Sequence, residues 1–157
     1  MRIAEDWILL AYRLPRVPST PRSAVWRKLK RLGVAQLGDG LVGLPADSRT
    51  REQLEWIAEE VTDNGGEAIV WLGRPTDGAA EETIIARMTA AVAAEYDSVA
   101  AEAASMRTFD PATRTRIAAR LRRELHRIRA RDYFQTPSHD RARAAVDSLA
   151  QPDSVRT

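Results

Sequence analysis

The stretch "VAQLGDGLVGLP", residues 34–45, decides the fold. Two short apolar runs meet at Gly38, Asp39 and Gly40, residue types that accept a left-handed backbone, so the stretch predicts a hairpin with Pro45 closing its second strand. A helical pattern flanks it on each side. Upstream, Ser19 or Thr20 can cap a helix with Pro21 in its first turn; the helix runs to about Leu32, with Gly33 as a left-handed stop. Downstream, Leu54, Ile57, Ala58 and Val61 recur at helical spacing between Ser48, which offers a cap, and about Asn64, where "NGG" ends the helix. Outside each helix lies a short run of bulky apolar residues, "DWILLAYRL" (6–14) before the first and "EAIVWLG" (67–73) after the second. Both runs suit buried strands better than helices. The resulting order, βαββαβ, predicts an α+β chain built on a ferredoxin-like unit with both helices on one face of the sheet.

After "RPTDG" the chain becomes alanine-rich and loses its strand signals. Helices are expected from Ala79 to about Ser105, from Thr113 to Phe134 behind the start signal Asp110 and Pro111, and from His139 to Ala150, with Pro137 separating the last two. This divides the chain into a ferredoxin-like domain at 1–75, a helical region at 76–150 and a flexible tail at 151–157.

The 24 basic and 22 acidic residues leave a net charge of +2, yet the charge is sorted along the chain. Residues 13–31 hold seven cations and no acid, residues 47–102 hold 13 acids to four bases, and residues 103–131 hold nine bases to two acids. Such sorting creates strong local fields, so phosphate-bearing or other anionic partners are expected at two places. In the first, Val25, Leu29 and Leu32 share a helix face, while Arg27, Lys28, Lys30 and Arg31 spread over the other. Arg16 and Arg22 add to that cluster from the loop and the first turn. Trp26, at the edge of the charged face, either stacks on a base or completes the core. In the second, Arg116, Arg120, Arg123, Arg127 and Arg131 advance by four, three, four and four, which keeps them within about 80° of one another on a helix. Beside them Ile117, Leu121, Leu125 and Ile128 form an apolar stripe. Like charges at this spacing repel by about 0.2–0.5 kcal/mol per pair, so something anionic must compensate them or solvent must dilute them. Either a ligand does so, or Glu81, Glu95 and Glu102 of the preceding helix do.

Cysteine is absent and only His126 and His139 could offer imidazole, so neither thiol chemistry nor a metal site is expected, and no cofactor is indicated. Adjacent acids such as Glu59 and Glu60, or Glu81 and Glu82, diverge on a helix and do not make a general acid–base pair. No "GxSxG", "HExxH" or phosphate loop occurs, and no catalytic residue is assigned. The run "WILLAY" is too short for a signal-peptide core and no apolar run approaches a membrane span, so a cytoplasmic protein with no membrane partner is expected.

Three segments, "WILLAYRLPRVPSTPRSAVWRKLKRLG" (7–33), "REQLEWIAEEVTDNGGEAIVW" (51–71) and "IRARDYF" (128–134), together resemble the N-terminal domain of the ChrB family, chromate-resistance proteins described as chromate-responsive transcriptional regulators. The resemblance runs from Trp7 to about Phe134. It implies a ferredoxin-like unit similar to the central domain of the phenylacetate repressor PaaX and to small CRISPR-associated nucleases, often dimeric. It also implies promoter binding through Arg16, Arg22, Arg27, Lys28, Lys30 and Arg31, which occupy the matching "PRxPSxPRxxxWRxLKRLG" stretch. Longer members continue into a second domain that this sequence is expected to lack. The nucleases end their first strand with an aspartate where this chain has Arg13, and a guanidinium cannot ligate a divalent metal, so nuclease activity is disfavoured. The expected function is a non-catalytic, DNA-binding or anion-responsive regulator, with chromate or another oxyanion as a second partner and a homodimer as the assembly. The alternative is a stand-alone interaction module that pairs with a separate protein carrying the second domain.

Overall fold

The computed structural model describes residues 6–153, so the tail expected at 151–157 lies outside the described residues from 154 onward. In chain order its elements are β1 (Trp7–Arg13), α1 (Thr20–Leu32), β2 (Ala35–Gly38), β3 (Leu41–Pro45), α2 (Ser48–Asp63), β4 (Glu67–Gly73), α3 (Gly78–Ser105), α4 (Pro111–Ala130) and α5 (Ser138–Ala150). The chain forms two compact units that divide between Met88 and Thr89, inside α3.

The first unit is the expected βαββαβ arrangement. Its sheet has the order β2-β3-β1-β4 with every neighbouring pair antiparallel. Ile8 and Leu10 lie opposite Leu44 and Val42 in the β1–β3 register, so these four side chains share one face. That face is buried together with Val25 and Leu29 of α1 and Leu54, Ile57 and Val61 of α2. On the opposite face Trp7 is also buried, and its indole N–H donates to Glu81 Oε1 at 3.0 Å, which ties the start of α3 to β1.

Turn chemistry follows the sequence closely. Gly33 ends α1 at φ 73° and Gly40 turns the hairpin at φ 69°, where a Cβ would lie 2.3 Å from the Tyr12 carbonyl oxygen. The caps differ from expectation. Ser48 is the first helical residue of α2, and the cap is Asp47: its carboxylate accepts the Thr50 N–H at 2.7 Å while the Thr50 hydroxyl accepts the Asp47 N–H at 3.0 Å. A carboxylate one residue earlier reaches the third N–H of the helix, which Ser48 cannot do from inside the first turn. Ser19 stands at the α1 boundary, but its side chain makes no capping bond.

In the second unit, buried faces of α3 (Val92, Tyr96, Val99, Ala103), α4 (Ala118, Leu121, Leu125, Ile128) and α5 (Ala142, Val146, Leu149) form one core. The start of α4 is capped by Asp110, whose carboxylate accepts from the Thr113 N–H and hydroxyl at 3.0 and 2.7 Å. These two bonds hold the Asp110 carboxyl below the usual aspartate range. The helix stops at Ala130 rather than Phe134. Beyond it Asp132 accepts from the backbone N–H and the hydroxyl of Thr136, which commits the following residues to a turn before α5.

Candidate nucleic-acid interface

Helix α1 carries the first basic cluster. Burial of Val25 and Leu29, one helical turn apart, fixes which side of the helix meets the core. Arg22, Arg27, Lys28, Lys30 and Arg31 are all exposed, and Arg16 is exposed in the loop ahead of them. Arg16, Arg22, Arg27, Lys30 and Arg31 have no carboxylate partner among the described residues. Lys28 differs: its Nζ lies 2.6 Å from Glu60 Oε2, a bond that joins α1 to α2. Trp26 is half-buried, and the Lys30 ammonium sits 5.8 Å from its ring centroid, a cation–π distance. Arg22 also acts on Tyr12, whose phenol pKa is raised by burial and partly lowered again by that guanidinium.

Between α1 and α2 lies a hollow of about 390 Å³, lined by Lys28, Arg31, Leu32, Gln53, Trp56, Ile57 and Glu60. Trp56 is 61% exposed, and the Gln53 side-chain oxygen is buried with no hydrogen-bond donor among the described residues. The sequence reading missed this hollow. The sequence marks only one wall of it: Trp56 lies off the Leu54–Ile57–Val61 stripe, one turn from both Gln53 and Glu60, while the other wall comes from α1.

The second basic stripe is held largely by the protein's own acids. Arg131 pairs with Glu95 at 2.9 Å, Arg120 with Glu102, and Arg127 with Glu124 at 3.0 Å. Arg116 reaches the Thr113 hydroxyl at 3.4 Å, and Arg123 is exposed. Glu95 and Glu102 therefore line the α3–α4 contact as acids facing arginines, whereas Glu81 is engaged with Trp7 in the first unit. Within the "IRARDYF" segment, Asp132 accepts the Tyr96 hydroxyl at 3.0 Å, and Arg129 contacts the His139 ring at 3.1 Å. Burial first, and then the bond to Asp132, push the Tyr96 phenol pKa well above its usual value. These residues hold the corner between α4 and α5.

Among the described residues no three His, Asp or Glu side chains converge to hold a metal ion, and no helix is long and apolar enough to cross a membrane. The sheet has a further exposed feature: edge strand β4, paired to β1 alone among the described residues, leaves Ile69, Trp71 and Leu72 more than half exposed.

The family model described as "Protein ChrB, N-terminal" matches residues 22–109, which include α1 from Arg22 onward, α2 and β4. The curated "Protein ChrB" of Cupriavidus metallidurans (strain CH34) is 30% identical over 157 aligned residues, covering 93% of this chain and 48% of that protein. The chain thus spans about half the length of the curated relative it matches. No solved structure matches it.

Proposed function

The chain belongs to the ChrB family, whose N-terminal domain it carries, and from this premise we propose that it is a DNA-binding transcriptional regulator associated with chromate resistance. The observation that carries the reading is the α1 surface: five cations, Arg16, Arg22, Arg27, Lys30 and Arg31, exposed without a carboxylate partner among the described residues. Four of the five are arginines, whose planar donors match the oxygens of a phosphate two at a time. Contacts of this kind position a protein on the DNA backbone and make binding salt-dependent. Chromate is a small dianion with the same demands, and it would compete for the same guanidinium groups. The α4 stripe contributes less, because Arg120, Arg127 and Arg131 would first have to release Glu102, Glu124 and Glu95.

The test is retention of a labelled duplex at about 50 mM salt, where phosphate contacts are strong. Retention is expected, and reversing both Arg27 and Arg31 to glutamate should abolish it. A protein that leaves the duplex free, or a double variant that still retains it, refutes the reading.

A second reading, a dimerisation module, is favoured by β4. Natural edge strands are shielded by charge, proline or bulges, but residues 68–73 hold none of the first two, and the β1–β4 register runs unbroken from Trp7 to Arg13. The occupant of this edge is a second copy of the chain. Antiparallel pairing about a two-fold axis at Val70 sets Ile69 of each copy opposite Trp71 of the other, a favourable aromatic and β-branched pair. The same pairing brings Glu67 at one end of each strand toward Arg74 beyond the other, so the charges match. Light scattering should show a dimer that Trp71→Lys converts to monomer; a monomeric unaltered protein removes this reading. The two readings are compatible, since a two-fold dimer carries two α1 faces.

A further inference from the structure

Leu72 is the most exposed apolar residue of β4, at 67%, and strand pairing alone does not cover it. In the β1–β4 register Leu72 lies opposite Ile8 and Val70 opposite Leu10, so both project from the face that carries α2, whereas Ile69 and Trp71 project from the other. Beside Leu72 a hollow of about 590 Å³ opens between α2 and the edge of β4, walled by Ile8, Val70, Trp71 and Leu72 from the sheet and by Arg51 and Glu55 from the helix. Helix α2 has three sides around this hollow. Leu54, Ile57 and Val61 are buried, and Gln53, Trp56 and Glu60 look toward α1. At 100° per residue, Arg51, Glu55, Ala58 and Thr62 fall within about 60° of one another, a quarter turn from the buried stripe and on the side of the β4 edge. This third line suits close approach: Ala58 and Thr62 are small, and Arg51 and Glu55 neutralise each other at 2.9 Å.

We propose that α2 of a second copy closes this hollow, so that the dimer has two layers, paired β4 strands and paired α2 helices. The inference rests on the β4 edge reading, and strand geometry leads from one to the other. A two-fold axis normal to the sheet at Val70 keeps both helix layers on the same side. Helix α2 packs on both β1 and β4, so its axis runs about 2.4 Å inside β4, half the strand spacing of about 4.8 Å, and the two-fold axis lies the same distance outside. The two α2 axes then stand about 10 Å apart, the separation at which helices pack. The charges agree with the antiparallel arrangement that the axis imposes. Helix α2 has no acid in its first turn and no base in its last, an order that opposes its own dipole. An antiparallel neighbour supplies what is missing, because Arg51 of one copy comes beside the end of the other that carries Glu59 and Asp63. A strand edge alone is a narrow contact, and the helix layer extends it toward the about 1,200–2,000 Å² of a stable interface.

Cross-linking tests it. The chain has no cysteine, so one introduced thiol reports on one position. In Ala58→Cys, near the middle of the proposed seam, a short bismaleimide should join two chains covalently. Trp56→Cys, on the α1 side of the same helix, should stay single. Ala58→Arg, which keeps a good helix former, should retain the helical signal while weakening the dimer about tenfold or more in light scattering over a dilution series. A dimer that Trp71→Lys abolishes, but that neither cross-links at position 58 nor responds to Ala58→Arg, overturns the helix seam and leaves the edge reading intact. Cross-linking at position 58 in a dimer indifferent to Trp71→Lys supports the α2 contact and overturns the edge reading alone. Equal cross-linking at positions 56 and 58 overturns the seam, and a monomeric unaltered protein overturns both.

Discussion

Neutralising Arg27 and Arg31 together to glutamine should flatten the salt dependence of DNA binding by a calculable amount. Each phosphate neutralised on duplex DNA contributes about −0.9 to the slope of log affinity against log salt. With the five cations of the α1 surface that lack a carboxylate partner, the slope for one chain is at most about −4.5. A rise from about 50 to about 200 mM salt then weakens binding by up to about 500-fold. Removing two contacts reduces the slope by about 1.8, so the same rise in salt costs the double variant only about 40-fold. Lys28 supplies the internal comparison. Its ammonium is 2.6 Å from Glu60, and a phosphate must displace that exposed pair, itself worth about 0 to 1 kcal/mol. Lys28→Gln should therefore change the slope by well under 0.9. Anisotropy titrations of a labelled duplex across a salt series measure all three slopes. A double-variant slope equal to that of the unaltered protein, or a loss in Lys28→Gln as large as half that of the double variant, refutes the reasoning.

Three further outcomes concern the scaffold. Leu121 is fully buried in the core of the second unit, so Leu121→Ala should destabilise it by about 2–5 kcal/mol, read as a lower urea midpoint of the helical signal. Asp47→Ala deletes the carboxylate that accepts the Thr50 N–H at 2.7 Å, and a loss of about 0.5–2 kcal/mol in urea unfolding is expected, whereas Ser48→Ala should cost little. Tyr96 is raised by burial and by its bond to Asp132, so the folded state holds the phenolic proton more tightly than the unfolded chain. Its contribution to stability is complete below the ordinary tyrosine value of about 10 and is lost as pH rises through the folded value. An absorbance titration at alkaline pH should show a late-titrating phenol that Tyr96→Phe removes; a variant that instead loses a phenol titrating near the ordinary value of about 10 would dismiss the burial argument.

Local chemistry was enough for the sequence to determine the order of elements. Glycine at Gly33 and Gly40 marks positive φ, period-two and period-3.6 apolar patterns separate strands from helices, and a βαββαβ order leaves few ways to arrange four strands. The exposure of Arg27, Lys30 and Arg31 was legible for the same reason, since Val25 and Leu29 fix the buried side of α1. What the sequence could not determine is which charges remain available. Lys28 meets Glu60 across 32 positions of chain, and Arg131 meets Glu95 across 36, pairings that exist only once the helices pack side by side. The hollow at Gln53 and Trp56 has the same origin: its walls come from two helices joined by a hairpin, and a cavity is a property of how surfaces meet. Periodicity describes each helix about its own axis, and only the packed fold decides what that helix faces.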